Sequence, residues 1–209
     1  MYTVKEIFYT LQGEGAQTGR PAVFCRFSGC NLWTGREADR ATAICDFCDT
    51  DFVGTGPDGG KFLAAEDLAG AVRQAWPNDA GGAPFVVCTG GEPLLQLDRA
   101  AVDALHDEGF EVAIETNGTR LPPSGIDWIC VSPKAAAETI LRSGNELKLV
   151  YPQALALPER FMEWDFEHFF LQPMDGAQVA ENTQAALSYC LEHPRWKLSL
   201  QMHKRLGIR

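Results

Sequence analysis

Short apolar runs recur along the chain at residues 22–27, 85–89, 111–115, 128–132, 146–150, 169–172 and 196–201, and helical patterns fall among them at 65–76, 98–107, 158–164 and 177–192. Several runs are apolar nearly throughout, as strands are when helices cover one face and a packed interior fills the other. Strand–helix–strand order implies a parallel sheet with right-handed crossovers. Pro77 and Gly109 supply stops for the first two helices. Between Glu115 and Trp128 about a dozen residues remain, with Pro122, Pro123 and Gly125 among them, which leaves no room for a full helix. A closed eightfold barrel takes about 250 residues, and this chain has 209. The expected fold is therefore α/β, an incomplete, splayed TIM-like βα barrel formed by one domain over 1–209. Gly54–Gly60 reads as a flexible loop within it.

Polar and glycine-rich words stand at the C-terminal ends of these runs: Thr89-Gly90-Gly91-Glu92-Pro93, Glu115-Thr116-Asn117-Gly118, Ser132-Pro133-Lys134 and Gln172-Pro173-Met174-Asp175. Parallel α/β folds build their sites at this edge. A cysteine loop follows the first run in the same way. Its spacing is Cys30-x14-Cys45-x2-Cys48, with no fourth cysteine in the loop. A structural zinc site takes four protein ligands, and an iron–sulfur cube normally does too. A cube held by three thiolates leaves one iron open to a substrate or cosubstrate, which points to chemistry. A zinc site completed by a distant fourth ligand is the competing reading. The other four cysteines, Cys25, Cys88, Cys130 and Cys190, lie in apolar strand-like or helical stretches and read as small core hydrophobes.

The charge balance narrows the partners. The formal net charge is −10, so nucleic acid, which binds through Lys and Arg on its phosphates, is an improbable partner and a small molecule is favoured. No apolar run reaches the ~18 residues of a membrane span. The Lys5-Glu6 pair interrupts any signal-like start. The expected location is the cytoplasm. There an odd count of seven cysteines argues for metal binding over a disulfide framework.

With these residues in view, the chain resembles the radical S-adenosylmethionine (SAM) enzymes. That family's usual spacing is Cys-x3-Cys-x2-Cys with an aromatic residue before the last cysteine, the position of Phe47, and Gly90-Gly91-Glu92-Pro93 resembles its glycine-rich motif. The words Thr10-Leu11-Gln12-Gly13-Glu14-Gly15, Phe27-Ser28-Gly29-Cys30-Asn31-Leu32, Cys48-Asp49-Thr50 and Gln201-Met202-His203-Lys204 narrow the resemblance to the family of 7-carboxy-7-deazaguanine synthases, from residue 10 to the C-terminus. Two departures stand out. The first cysteine gap holds fourteen residues, making 33–44 an insertion within an enlarged cluster loop at about 30–61. Met202 stands where the family commonly has threonine.

The resemblance implies a barrel of the radical SAM type and three cofactors. Cys30, Cys45 and Cys48 would hold a [4Fe–4S] cluster, and SAM would chelate the open iron and be cleaved by one electron to a 5′-deoxyadenosyl radical. It places SAM against Phe47, Cys48, Asp49, Gly91, Ser132, Pro133, Lys134, Gln172, Pro173, Met174 and Asp175, and a magnesium ion on Thr50. Gln12, Gly13, Glu14, Arg26, Thr89 and the chain end at Arg209 would form a pterin pocket. Glu14 and Gln12 would read the pterin edge, and Arg26 would pair with a carboxylate. Glu115 and His203 are the candidate proton-transfer groups. Plainer roles compete for several of these: a strand-ending turn for Ser132-Pro133, a solvated lysine for Lys134, a capping threonine for Thr50, a surface ion pair for Arg26, a strand-end carboxylate for Glu115 and a structural histidine for His203.

The implied reaction is a lyase step. It converts 6-carboxy-5,6,7,8-tetrahydropterin to 7-carboxy-7-deazaguanine with loss of ammonia, in queuosine and 7-deazapurine synthesis. A flavodoxin-type or other reductant and a homodimer are the implied partners. An activase that places a glycyl radical on another protein shares the cysteines and Gly-Gly-Glu-Pro, but has no need of Gln12-Gly13-Glu14 or Cys48-Asp49-Thr50. An electron carrier or zinc module is the non-enzyme alternative; three cysteines and the glycine-rich strand ends count against it.

Overall fold

The computed structural model describes residues 1–79, 81–134 and 137–209. The chain opens with β1 (Tyr2–Leu11) and β2 (Pro21–Phe27), which pair antiparallel, and the short β3 (Gly60–Phe62) flanks β1. There follow α1 (Ala65–Ala75), β4 (Phe85–Gly90), α2 (Arg99–Asp107), β5 (Glu111–Thr116), β6 (Trp128–Val131), β7 (Ser143–Tyr151), β8 (Asp165–Pro173), α3 (Val179–Glu192), β9 (Trp196–Leu198) and α4 (Met202–Leu206). Among the described residues one sheet carries all nine strands in the order β3-β1-β2-β4-β5-β6-β7-β8-β9, and from β2 onward every pairing is parallel. The two ends of the sheet, β3 and β9, do not pair with each other, so the sheet is open, as the chain length implies.

Strand periodicity divides the sheet into two faces. Val23, Cys25, Phe27, Val86, Cys88, Val112 and Ile114 point to the face packed by Leu68, Ala69 and Val72 of α1 and Ala101, Val102 and Leu105 of α2. Further along, Leu147, Leu149, Phe169 and Leu171 meet Ala186 of α3 and Phe161. The alternate residues turn the other way. Ala22, Phe85, Val87 and Ala113 form a smaller apolar cluster at the base of that second face, and above them stand Arg26, Thr89 and Glu115.

The buried cysteines Cys25, Cys88 and Cys130 are core residues, as their apolar settings imply, whereas Cys190 is only half-buried. Helix α2 shows how punctuation works here. The Asp98 side chain accepts from the Ala101 amide at the start, and Gly109, at φ +82°, ends it in the left-handed conformation that glycine adopts without penalty.

Three sequence expectations change. The stretch 2–11 is a ten-residue strand, missed because Lys5-Glu6 and a bulge between Val4 and Glu6 break its alternation. The expected helix at 158–164 is only the 3₁₀ turn Pro158–Phe161, which drops Phe161 into the core. The last strand, expected over 196–201, stops at Leu198, and a short, unexpected helix over Met202–Leu206 follows it. Helical cover is also sparser than strand–helix alternation implies: among the described residues no α-helix lies between β5 and β6, β6 and β7, or β7 and β8.

Candidate active site

At the C-terminal ends of the parallel strands lies an open cavity of about 420 Å³, lined from β2, β4, β5, β7, β8, the cysteine loop, the Gln12–Glu14 loop and the C-terminal segment. Of the residues singled out in the sequence, all but Cys30 and Pro133 line it. Pro133 sits behind it, where its carbonyl accepts from Gln153 Nε2.

The cysteine loop shows how a fourteen-residue gap does the work of a short one. The Leu32 carbonyl accepts from both Ile44 (3.1 Å) and Cys45 (3.2 Å). The insertion therefore leaves and rejoins the chain at one neck, and Cys45 returns beside Cys30. Within the insertion, Trp33 packs edge-on against Phe52, and the Arg40 guanidinium lies 4.1 Å over the Trp33 ring. Arg40 is also gripped by both oxygens of Glu37, at 2.6 and 2.7 Å.

The three cysteines gather in one apolar nook with Leu32, Phe47 and Ala137, and none is in a disulfide. The hydrogen bond from Cys45 pulls the Cys48 thiol down to about 6, with help from the Thr50 amide and Lys134. The same bond and burial hold Cys45 well above the ordinary thiol range, and burial raises Cys30. Cys48, the thiol held low, faces positive charge from Lys134 and Arg40. Yet no three Cys, His or carboxylate groups among the described residues converge as ligands on a single ion. A structural zinc ion takes four protein ligands, and this nook gathers three thiols, the number that leaves one iron of a cube open.

The glycine-rich loop packs directly behind this nook. A Cβ at Gly91 would lie 2.2 Å from the Gly29 carbonyl oxygen and 2.8 Å from Cys30 Cβ, so only glycine fits. Glu92, fully buried, is a strut between loops. Its carboxylate accepts from the Leu94 amide (3.0 Å), the Thr116 hydroxyl (2.7 Å) and the Asn117 amide (2.8 Å). Burial raises its pKa against the pull of these bonds.

Around the cavity the predicted contacts take definite partners. Lys134 Nζ donates to Ser132 Oγ at 2.7 Å and stands 5.8 Å from the Phe47 ring centre. Gln172 accepts from the Ser199 hydroxyl. Asp49 and Asp175 come together through Lys204, which bonds each at 2.5 Å. Thr50 lines the cavity with Asp49 and Asp51, of which Asp51 is paired to Lys5.

The opposite wall is a polar ring that joins five elements. Lys148, only 4% exposed, bonds Glu14 at 2.6 Å and Glu115 at 3.1 Å. Gln12 donates to Glu115 (3.0 Å), Gln201 to Glu14 (3.0 Å), and the Thr89 hydroxyl lies 3.5 Å from Glu115. Burial would raise Glu14, but Lys148 outweighs it and holds the carboxyl down at about 2. Burial would likewise lower the Lys148 ammonium, and Glu115 with Glu14 reverses this and holds it well above the ordinary range. Glu146, two residues before Lys148, accepts from the Ala16 amide at 2.9 Å and so props up the turn that presents Glu14.

Arg26 combines both of its possible roles. It lines the cavity, yet its Nε donates to Glu6 at 2.8 Å. Arg209 bonds the same Glu6 and Asp58, and its backbone oxygen accepts from Thr10 Oγ1 at 2.8 Å. His203 is stacked on Gly13, where an added Cβ would fall 2.4 Å from His203 Nδ1.

This geometry agrees with the comparisons to known proteins. The family described as the Radical SAM superfamily matches residues 39–176, beginning inside the insertion and taking in Cys45 and Cys48. The chain is 64% identical over 211 residues to a 7-carboxy-7-deazaguanine synthase of Caulobacter vibrioides, covering 99% of each, and 63% identical to one of Bradyrhizobium diazoefficiens, covering 100% of this chain and 99% of that one. The chain belongs to the 7-carboxy-7-deazaguanine synthase family of radical SAM enzymes. The crystal structure of QueE from Escherichia coli matches with a TM-score of 0.71 at 28% identity, over 97% of this chain and 94% of that one. Family membership brings the [4Fe–4S] cluster, SAM and magnesium as cofactors, which the thiolate nook, the glycine cradle and the polar cavity suit.

Sequence reasoning missed Lys148, Glu146 and the brace of Arg40. Two charges inside a strand buried on both faces were the available signal for the first two. Nothing in the sequence marked Arg40 apart from other charges of the insertion. No helix among the described residues is long and apolar enough to cross a membrane.

Proposed function

We infer that the protein is a radical SAM lyase that converts 6-carboxy-5,6,7,8-tetrahydropterin to 7-carboxy-7-deazaguanine and ammonia. The observation that carries this reading is one cavity with two chemically distinct walls: the cysteine nook with the glycine cradle, and the ring of Gln12, Glu14, Glu115 and Lys148. An activase of another protein has no use for the second wall.

In this reading Cys30, Cys45 and Cys48 hold the cluster. Phe47, Cys48, Asp49, Gly91, Ser132, Lys134 and the 172–175 strand end hold SAM, with Pro133 shaping the turn from behind. Thr50 offers magnesium one hard oxygen, and the substrate carboxylate and water complete its shell. Bound together, the cluster and SAM supply one-electron cleavage of a sulfonium, hence hydrogen abstraction from an unactivated carbon.

The chain's own residues do the rest. Glu14 and Gln12 take the amino and ring N–H edge of the pterin. Arg26 takes the carboxylate, exchanging its bond to Glu6 for a bidentate pair. Thr89, Gly13 and the Arg209 chain end complete the pocket. Glu115 and His203 both line it and would move the protons that ammonia release requires. Asp49 of the cysteine loop and Asp175 at the end of β8, joined by Lys204, flank the SAM side. A flavodoxin-type one-electron donor, a homodimer and a cytoplasmic setting complete the reading; the family resemblance supports them.

The test is anaerobic incubation of the reconstituted protein with the tetrahydropterin, SAM, magnesium and a reductant. Formation of the deazapurine with one equivalent of ammonia is expected. Deoxyadenosine release with no deazapurine would refute the assignment.

A further inference from the structure

Among the described residues Lys148 is the one side chain that bonds both half-buried carboxylates, Glu14 and Glu115, and it comes from a strand that neither of them belongs to. Glu14 rides on the loop after β1 and Glu115 ends β5, so a single ammonium ties three separate parts of an open sheet together. Its neighbours can be named element by element. Glu14 and Gln12 come from the first loop, Glu115 from β5, Cys130 from β6, Glu146 from its own strand and Gln201 from the segment before α4, with His203 beyond Glu14. The acidic groups outnumber the cation. Without Lys148, Glu14 and Glu115 would be two carboxylates sharing a site, and such pairs keep a proton between them.

That difference decides what the pocket can recognise. Two ionised carboxylates only accept hydrogen bonds, whereas a pair holding a proton also donates one. We propose that Lys148 sets the substrate specificity of the pocket: it holds Glu14 and Glu115 as acceptors alone, so the pocket takes a heterocycle edge that presents N–H donors and rejects one that presents a carbonyl there. This rests on the reading of the pocket as a pterin site and adds its selector. Lys148 acts through the two glutamates and is a positioning residue.

The experiment is calorimetric titration of the reconstituted enzyme, with SAM and magnesium but no reductant, so that binding is read without turnover. The ligands are 6-carboxytetrahydropterin and its analogue with the exocyclic amine replaced by oxygen. Lys148→Arg keeps charge and donors, Lys148→Gln keeps a donor without charge, and Lys148→Met keeps neither. The wild type should prefer the amino compound by about two to four orders of magnitude, because the analogue sets a carbonyl against a buried acceptor. Lys148→Arg should retain most of that preference. Lys148→Gln and Lys148→Met should lose about tenfold or more of it. Their affinity for the amino compound should also climb between pH 5 and 8, roughly where a shared carboxyl proton is lost, with a slope the wild type lacks. If Lys148→Met fails to fold, the Arg and Gln variants decide the matter. A Gln variant with the wild-type preference and pH profile would overturn the proposal while leaving the pterin reading intact. A wild type that binds neither compound would overturn both.

Discussion

Arg40 reaches back from the insertion to the last cysteine, donating to the Cys48 carbonyl at 3.0 Å and to the Asp46 carbonyl at 2.8 Å. The inserted segment thus braces the tight Cys45–Cys48 turn from outside, while the Leu32 neck holds it from within. Arg40→Ala should leave the fold and melting temperature nearly unchanged, since the side chain lies at the surface of the loop. The reconstituted protein should lose iron to a chelator several-fold faster, followed by its visible absorbance. Arg40→Lys should not rescue it, because one ammonium cannot replace both the Nη1 that bonds the two carbonyls and the Nε and Nη2 that hold Glu37, nor stack as a plane on Trp33. Equal rates of iron loss in all three proteins would show the brace to be incidental.

The route from sequence to this site was uneven for physical reasons. Parallel strands buried on both faces announce themselves as apolar runs, and their polar ends mark the site edge. The strand 2–11 hides its pattern because its antiparallel pairing carries a bulge and charged positions such as Lys5 and Glu6. Lys148 hides for the opposite reason. It stands inside an apolar run, and its partners lie 134 and 33 residues away, so no local signal joins them. Glu92 was legible only as part of a motif; its work as a strut depends on Thr116 and Asn117, which fold brings to it.

Glu92→Ala strands the Thr116 hydroxyl and the Leu94 and Asn117 amides in the interior. Each unsatisfied group costs about 1–3 kcal/mol, so a loss of roughly 3–5 kcal/mol in unfolding free energy is expected. Glu92→Gln should cost less, yet still destabilise, because its NH₂ must face either two donors or one. The folded pKa of Glu92 is raised above that of the unfolded chain. The folded state therefore binds the extra proton, and this group's contribution favours folding more as pH falls through the window above the ordinary carboxylate value. Denaturant titrations of the three proteins check both statements. A Glu92→Ala protein as stable as the wild type would refute the strut.

Glu14 runs the other way. Its folded pKa lies near 2, below the ordinary 4.5. Its contribution is complete well above pH 4.5 and lost as pH falls toward 2, amounting to on the order of 3 kcal/mol. Glu14→Gln should be less stable than the wild type at pH 6, and the gap between the two should close on acidification across that window. A gap that stays constant down to pH 2.5 would show that Lys148 does not hold Glu14 ionised.

Thr50→Val removes one hydroxyl at nearly constant volume. The Thr50 amide that supports the Cys48 thiolate is untouched by the change, so cluster content should hold. Turnover should fall and lose its response to added magnesium. Retention of both rate and magnesium response would remove Thr50 from the ion's shell.

The tightest test of the C-terminal segment is Gly13→Ala. The Gly13 carbonyl accepts from the Met202 amide at 3.0 Å, which docks α4 over the pocket. An alanine Cβ would fall 2.4 Å from His203 Nδ1 and 2.9 Å from its backbone nitrogen. A side chain alone could swing away, but the backbone contact requires α4 itself to lift. That movement carries His203, Gln201 and Lys204 off the cavity together, and with Lys204 goes the bridge from Asp49 to Asp175. The core is elsewhere, packed on the helix-covered face of the sheet. Gly13→Ala should therefore melt within a few degrees of the wild type, while KM for the pterin and for SAM rise together and kcat falls. His203→Ala in the same background should cost much less than it does alone, because the histidine has already left. Independent, additive losses from the two changes would show that Gly13 and His203 do not act through one contact.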